Sequence, residues 1–181
     1  KLKLGLFGAN CSNGRAMTRL PERWPADWDS CRRLAEMADA AGIDFMLPIG
    51  RWKGYRGETD HQGSTLESVT WACGLLARTE QMTVFAPVEA PPLNPVMAPG
   101  QPVPADQVGH GRFGLNIVVG WNDDEFQMFG EQQREPHARY EYGQEWIDAV
   151  KRMWGPEEEF DFNGKYLNLR AVRAKPKPHG G

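Results

Sequence analysis

No apolar run in this sequence approaches the roughly 18 residues that a membrane-spanning helix requires. Nor does any block of Lys and Arg mark a nucleic-acid or membrane surface. The formal net charge is −3, with acidic and basic residues mixed along the chain. Cysteine is scarce. Cys11, Cys31 and Cys73 form no CxxC pair and are odd in number. That argues against a disulfide framework and makes a reducing cytoplasm the expected setting. His61, His110, His137 and His179 have neither helical nor paired spacing, so no metal site is expected. A G-x-S-x-G elbow and a P-loop are both missing. Lys1-Leu2-Lys3-Leu4 lacks the architecture of a signal peptide. It also lacks an initiator Met, so the natural start is expected upstream.

What is present is an alternation of short strands and helices. Residues 2–7 read as a first buried strand, followed by a Gly/Asn/Ser-rich loop. Asp27 is placed to cap a helix whose apolar face carries Cys31, Leu34, Ala35 and Ala38, with Gly42 as its stop. Residues 45–49 form a second strand, and residues 50–63 a long loop with Arg51, Trp52, Lys53 and Tyr55. Ser64-Thr65-Leu66-Glu67 has the capping-box pattern, ahead of a stripe of Val69, Ala72, Cys73 and Leu76. Residues 82–86 and 114–119 supply the third and fourth strands. Between them, Pro99, Pro102 and Pro104 fall where a helix is due. An interior proline costs about 3 kcal/mol, so this segment is expected to be a poor helix or none. Tyr142, Trp146, Val150, Met153 and Trp154 mark one face of a long helix from near His137. Asn163-Gly164 then signals a β-hairpin.

This order argues for a parallel sheet with right-handed crossovers. A doubly wound open sheet and half of a (β/α)₈ barrel both fit; the long segments after each strand favour the barrel. Barrel chemistry gathers in the loops at the C-terminal ends of the strands. Gly109-His110-Gly111-Arg112-Phe113-Gly114 matches G-x-G-x-x-G by letter. Its glycines precede a strand rather than open a helix, so a helix stop and a turn are expected instead of a dinucleotide site. Asn116 sits among apolar strand residues and needs hydrogen-bond partners, either from protein or from a cofactor. Asp123, Asp124 and Glu125 read as an acidic first turn of a helix. Arg139, near the start of the long helix, could be merely solvated, or could meet a phosphate.

The segment Gly111-Arg112-Phe113-Gly114-Leu115-Asn116-Ile117-Val118-Val119-Gly120-Trp121-Asn122, with Glu125-Phe126 and Phe129-Gly130 behind it, resembles the bacterial luciferase-like monooxygenases. So do His137-Ala138-Arg139-Tyr140 with Glu145-Trp146, Arg51 to Gly54 with Leu66-Glu67-Ser68, and the hairpin with Lys175-Pro176-Lys177-Pro178. The resemblance runs nearly end to end and points to the branch of pyrimidine, dimethylsulfone and alkanesulfonate monooxygenases. It implies the N-terminal half of a (β/α)₈ TIM barrel over residues 1–181, with a hairpin insertion after the fourth helix and the C-terminal half absent. It implies reduced FMN supplied by a separate flavin reductase, dioxygen, a small organic substrate, and a homo-oligomer when full length. By the same resemblance Gly50, Arg51, Asn116, Glu125, Arg139 and Tyr140 contact the flavin, and Asn116 is the candidate catalytic residue.

The sequence departs from that family's pattern in places. Pro87 stands where a Thr hydroxyl is usual, Glu89 where His is frequent, and the third helix is normally free of proline. Two other readings follow: a deazaflavin-dependent dehydrogenase of the same fold family, or a non-catalytic half-barrel that binds flavin or a partner.

Overall fold

The computed structural model describes residues 2–120 and 122–180. Lys1, Gly181 and Trp121 of the Gly120-Trp121-Asn122 segment lie outside the described residues. Four parallel strands lie in the order β1 (Gly5–Phe7), β2 (Phe45–Leu47), β3 (Thr83–Glu89), β4 (Phe113–Val118). The sequential order is that of a barrel half; a doubly wound sheet would place β1 centrally. Among the described residues, β1 and β4 each have an edge without a strand partner.

Register decides which residues share a face. Gly5 pairs with Phe45, Phe7 with Leu47, Phe85 with Gly114, and Pro87 with Asn116. Leu6, Met46, Val84, Ala86, Val88, Phe113, Leu115 and Ile117 therefore point to one side, into the helix-covered core. The opposite side carries Phe7, Phe45, Leu47, Phe85, Pro87, Glu89 and Asn116. Phe45 and Phe85 meet edge to face with centroids 5.7 Å apart. Two glycines make this possible. A Cβ on Gly5 would lie 2.2 Å from the Phe45 ring, and one on Gly114 2.3 Å from that of Phe85. Phe7 on this face is 50% exposed, where a closed barrel would bury it.

The helices form largely where periodicity places them. Asp27 caps α1 (Trp28–Ala40) by accepting from the Ser30 amide at 2.8 Å, and Cys31, Ala35 and Ala38 are buried. Asp123, Asp124 and Glu125 make the first turn of α4 (Asp123–Met128). In α5 (Pro136–Trp154) Tyr142, Trp146, Val150 and Met153 are buried. Gly109-His110-Gly111 is a helix stop and turn, with positive φ at His110 and Gly111.

Three local expectations are corrected. The proline-rich segment is helical: a 3₁₀ turn at Ala98–Gly100 leads into α3 (Pro102–Val108). Pro102 and Pro104 occupy its first and third positions, where the backbone N–H has no intrahelical partner to lose. The cap of α2 (Ser68–Leu76) is Glu67 itself, accepting from the Val69 and Thr70 amides, rather than Ser64 in a capping box. The hairpin β5 (Phe160–Asn163) and β6 (Asn168–Val172) pairs Asn163 with Asn168, so its loop runs through residues 164–167 instead of turning at Asn-Gly. Glu145 replaces the tight turn by accepting from the amides of Lys165, Tyr166 and Leu167.

Candidate functional site

Beyond the C-terminal ends of β2 and β3 lies a cleft of about 260 Å³, walled by Gly50, Arg51, Pro87, Glu89, Leu93 and Phe129 among others. Asn10, fully buried, sets its floor. Its amide donates to the Ile49 and Leu66 carbonyls, and its oxygen accepts from the Ile49 N–H at 2.8 Å. Gly50 is therefore held against β3, where a Cβ would meet the Pro87 ring at 3.3 Å. Trp52 and Phe129 close one side with an edge-to-face contact at 5.4 Å.

Arg51 and Glu125, from elements far apart in sequence, form a buried ion pair at 3.4 Å, their side chains 6% and 4% exposed. Glu125 Oε1 also accepts from the Trp52 and Lys53 amides, at 3.0 and 3.1 Å. Arg51 Nε donates to Gln62 Oε1 at 3.2 Å, and its guanidinium lies over the Tyr55 ring. A buried pair with its remaining hydrogen bonds made is rigid and specific in geometry. Glu89 adjoins it. Burial first, then the charge of Glu125, pushes the Glu89 carboxyl up to about 7, against the opposing pull of Arg51.

Asn116 lies on the inner face of β4 opposite Pro87 and lines a depression with Phe45, Leu47 and Phe85. Among the described residues its side chain has no hydrogen-bond partner. Arg139 and Tyr140 line a separate cleft between the end of β4 and α5. Arg139 donates to the Gly120 carbonyl, while its buried Nε has no partner among the described residues. Tyr140 is 69% exposed. The six expected residues fall in three places: Gly50, Arg51 and Glu125 together beyond β2, Arg139 and Tyr140 beyond β4, and Asn116 mid-strand on the inner face, in a depression that reaches Lys3, Asp44 and Thr83 at the N-terminal ends of the strands.

Pro87 fits β3 for a reason visible in the ladder. Val84 N and Ala90 N donate toward β4, at Arg112 O and Val118 O. Strand alternation therefore puts the Pro87 nitrogen on the β2 side, beyond the last β2–β3 pair, Met46–Val84. No ladder bond is lost there. Asn10 and Gln62 escaped the sequence reading, which met Glu89 only as a departure from the family pattern and gave it no role. The roles of Asn10, Gln62 and Glu89 depend on contacts across 39, 11 and 36 residues respectively, the last toward Glu125. The acid at position 89 among apolar strand residues was the one local signal.

Four parallel strands in sequential order, with polar side chains beyond their C-terminal ends, match the (β/α)-barrel class of enzyme scaffolds. The family profile "Luciferase-like monooxygenase" matches residues 5–181, and the chain belongs to that family. An FMNH(2)-dependent dimethylsulfone monooxygenase from Pseudomonas fluorescens (strain Pf0-1) is 35% identical over 182 residues, covering 99% of this chain and 48% of that protein. Pyrimidine monooxygenase RutA from Pseudomonas savastanoi pv. phaseolicola is 27% identical over 179 residues, covering 98% and 49%. In fold, the chain is similar to EDTA monooxygenase (EmoA) from Chelativorans sp. BNC1, with a TM-score of 0.83 and 17% identity over 98% of this chain and 47% of that one. The chain spans about half the length of the curated relatives it matches. Among the described residues, no helix is long and apolar enough to cross a membrane.

Proposed function

We propose that this half-barrel belongs to a two-component monooxygenase that uses reduced FMN, delivered by a separate reductase, and dioxygen to oxygenate a small organic substrate. The observation that carries the reading is that Gly50, Arg51, Glu125 and Arg139 stand beyond the C-terminal ends of the strands of one parallel sheet, with Asn116 on the inner face of β4. The donor set fits a flavin mononucleotide. The Asn116 carboxamide, without a partner among the described residues, offers a donor and an acceptor to a polar ring edge. Arg139 has a buried Nε–H with no acceptor among the described residues, as a phosphate would supply. Gly50 permits close approach of backbone to a flat ring. Arg51 and Glu125 hold the wall between this region and the cleft, and Tyr140 flanks Arg139.

When bound, the reduced flavin supplies the dioxygen activation; the chain's residues orient it and limit water. Residues 1–181 are read as one half of a barrel domain in a larger, homo-oligomeric whole. Three free thiols, two of them buried, suit a cytoplasmic setting. The names of the relatives favour FMN over a deazaflavin.

The test is oxygen incorporation from labelled dioxygen with reduced FMN, across sulfones, sulfonates and pyrimidines. Asn116→Ala should weaken flavin binding by about 1–3 kcal/mol, the cost of a lost buried hydrogen bond. Unchanged flavin affinity would mean that Asn116 does not meet the flavin. Turnover with reduced deazaflavin but not FMN would overturn the monooxygenase reading.

A further inference from the structure

Two loops meet beside Arg51, and main-chain bonds with one serine hydroxyl hold them together. Ser12 N donates to Ser64 O at 2.8 Å, Gln62 N to Ser12 O at 3.2 Å, and Ser64 N to Ser12 Oγ at 3.1 Å. A β-bridge joins Cys11 and Thr65 alongside. The Gln62 side chain adds little to that seam. Its Nε2 donates to Gly14 O at 3.5 Å, the long end of a hydrogen bond. Its Oε1 turns the other way and accepts from Arg51 Nε at 3.2 Å. A guanidinium only donates and a carbonyl only accepts, so the two contacts together fix which way round the carboxamide lies.

The backbone beneath this contact is one that glutamine disfavours. Gln62 has a φ of 56°, in the left-handed region, and is 2% exposed. Backbone fit alone would select Gly there, or Asn, whose short side chain tolerates that region. What Gln has over Asn is one methylene, and that length carries its oxygen to Arg51. Backbone outliers of this kind persist where the surroundings over-determine them, and they cluster at binding and catalytic sites. The neighbouring His61 ring stacks on Tyr55 at 5.7 Å, and the Arg51 guanidinium lies over Tyr55 at 5.0 Å. Glu125 holds Arg51 Nη1 from α4. Arg51 walls the cleft; Gln62 stands behind it and is not among the lining residues.

We propose that Gln62 is a positioning residue that acts through Arg51: it keeps a left-handed backbone so that its oxygen fixes Nε, and so aims the guanidinium before a ligand arrives. Donors held in advance leave less to be ordered on binding. The proposal rests on the reading that Arg51 meets the flavin.

The test uses the whole chain. The ¹⁵N–¹H signal of Arg51 Nε, assigned by its loss in Arg51→Lys, is followed without ligand. Oxidised FMN is then titrated by the quenching of its fluorescence. In the parent, the Nε–H should exchange slowly with water. Gln62→Asn suits the left-handed backbone but falls short of Arg51; Gln62→Met has the length without the oxygen. Both should speed that exchange and weaken FMN binding, each roughly tenfold, about what one hydrogen bond supplies. Gln62→Glu keeps length and acceptor and should keep the exchange slow. A purely structural role reverses the order: Asn, the better backbone fit, would match the parent, and Glu, which buries a charge, would not. That order overturns the proposal. So does exchange unchanged in both Asn and Met variants, or FMN affinity equal to the parent's in both. A parent that protects its Nε–H yet binds no FMN removes the flavin reading and with it the target of Arg51. A parent whose Nε–H exchanges freely removes the positioning itself.

Discussion

The two ends of the sheet use the same device for different purposes. At the N-terminal end, Asp39 accepts from the amides of Glu80, Gln81 and Met82, at 2.8, 3.0 and 2.7 Å. Arg112 stands beside it, donating to the carbonyls of Leu76, Thr79 and Met82 and to the Thr79 hydroxyl. At the C-terminal end, Glu125 accepts from two amides and pairs with Arg51. In both places a carboxylate and an arginine hold irregular backbone against strand ends. The difference is what lies next to them. Asp39 and Arg112 satisfy only protein groups. Glu125 and Arg51 face a cleft, and against them stands a further acid, Glu89, whose carboxyl is pushed up to about 7. In barrels, conserved geometry at the N-terminal end serves stability and the C-terminal end serves chemistry. The extra acid is the local sign of that division.

Asp39→Ala should have the largest effect on the fold. It removes one acceptor group from three amides, one of which, at Met82, is buried. Leaving buried donors unpaired costs about 1–3 kcal/mol per group, so a loss of about 3 kcal/mol or more in denaturant unfolding is expected. A loss below about 1 kcal/mol would show that Asp39 is not the clamp described. Gly114→Ala comes next, with an expected cost of about 1–3 kcal/mol from overpacking. Its Cβ would lie 2.3 Å from the Phe85 ring. Combining it with Phe85→Ala should cost less than the sum of the two single changes. Strict additivity would mean that the glycine does not serve the ring.

Much of this architecture is legible in the chain. Parallel strands with helices between them follow from the alternation of elements, and the buried faces of α1 and α5 follow from their apolar spacing. The fourth-strand segment and Arg51 carry the family resemblance. The rest depends on contacts that local pattern does not encode. The prolines at 102 and 104 look like helix breakers until the helix start is fixed between Gln101 and Pro102. Asn-Gly is a strong turn signal, yet Glu145, from a helix a turn or more earlier in the chain, imposes a longer loop. Glu89 is only a charge in a strand until Glu125 and Arg51 are folded against it. The separation of Arg139 from the Arg51 cleft likewise depends on where α5 lies relative to β4.

The smallest expected effect is the most discriminating, because the two ends should respond to pH with opposite sign. Burial pushes the Asp39 carboxyl up, but hydrogen bonds from the Glu80, Met82 and Gln81 amides and the charge of Arg112 outweigh it and hold it below 3.8. Its stabilisation is full above the ordinary value and is lost as pH falls through the lowered one, so this arm lies on the acid side of about pH 4. Glu89 is shifted the other way, from 4.5 to about 7. Between those values the folded chain binds a proton that the unfolded chain has released, so stability falls as pH rises from about 4.5 to 7 and levels off above. The full shift would correspond to about 3 kcal/mol, but the group is only half-buried, and screening brings the expectation to on the order of 1–2 kcal/mol. Unfolding free energies at pH 5 and pH 8 measure it. Glu89→Gln cannot ionise and should lose this downward slope, while Asp39→Asn should leave it intact and flatten only the acid arm. Glu125→Gln should reduce the slope without abolishing it, because burial is the larger cause of the Glu89 shift and Glu125 the second. A Glu89→Gln profile parallel to the parent's from pH 5 to pH 8 would place the titrating proton elsewhere, and the contrast between the two ends would then rest on position alone.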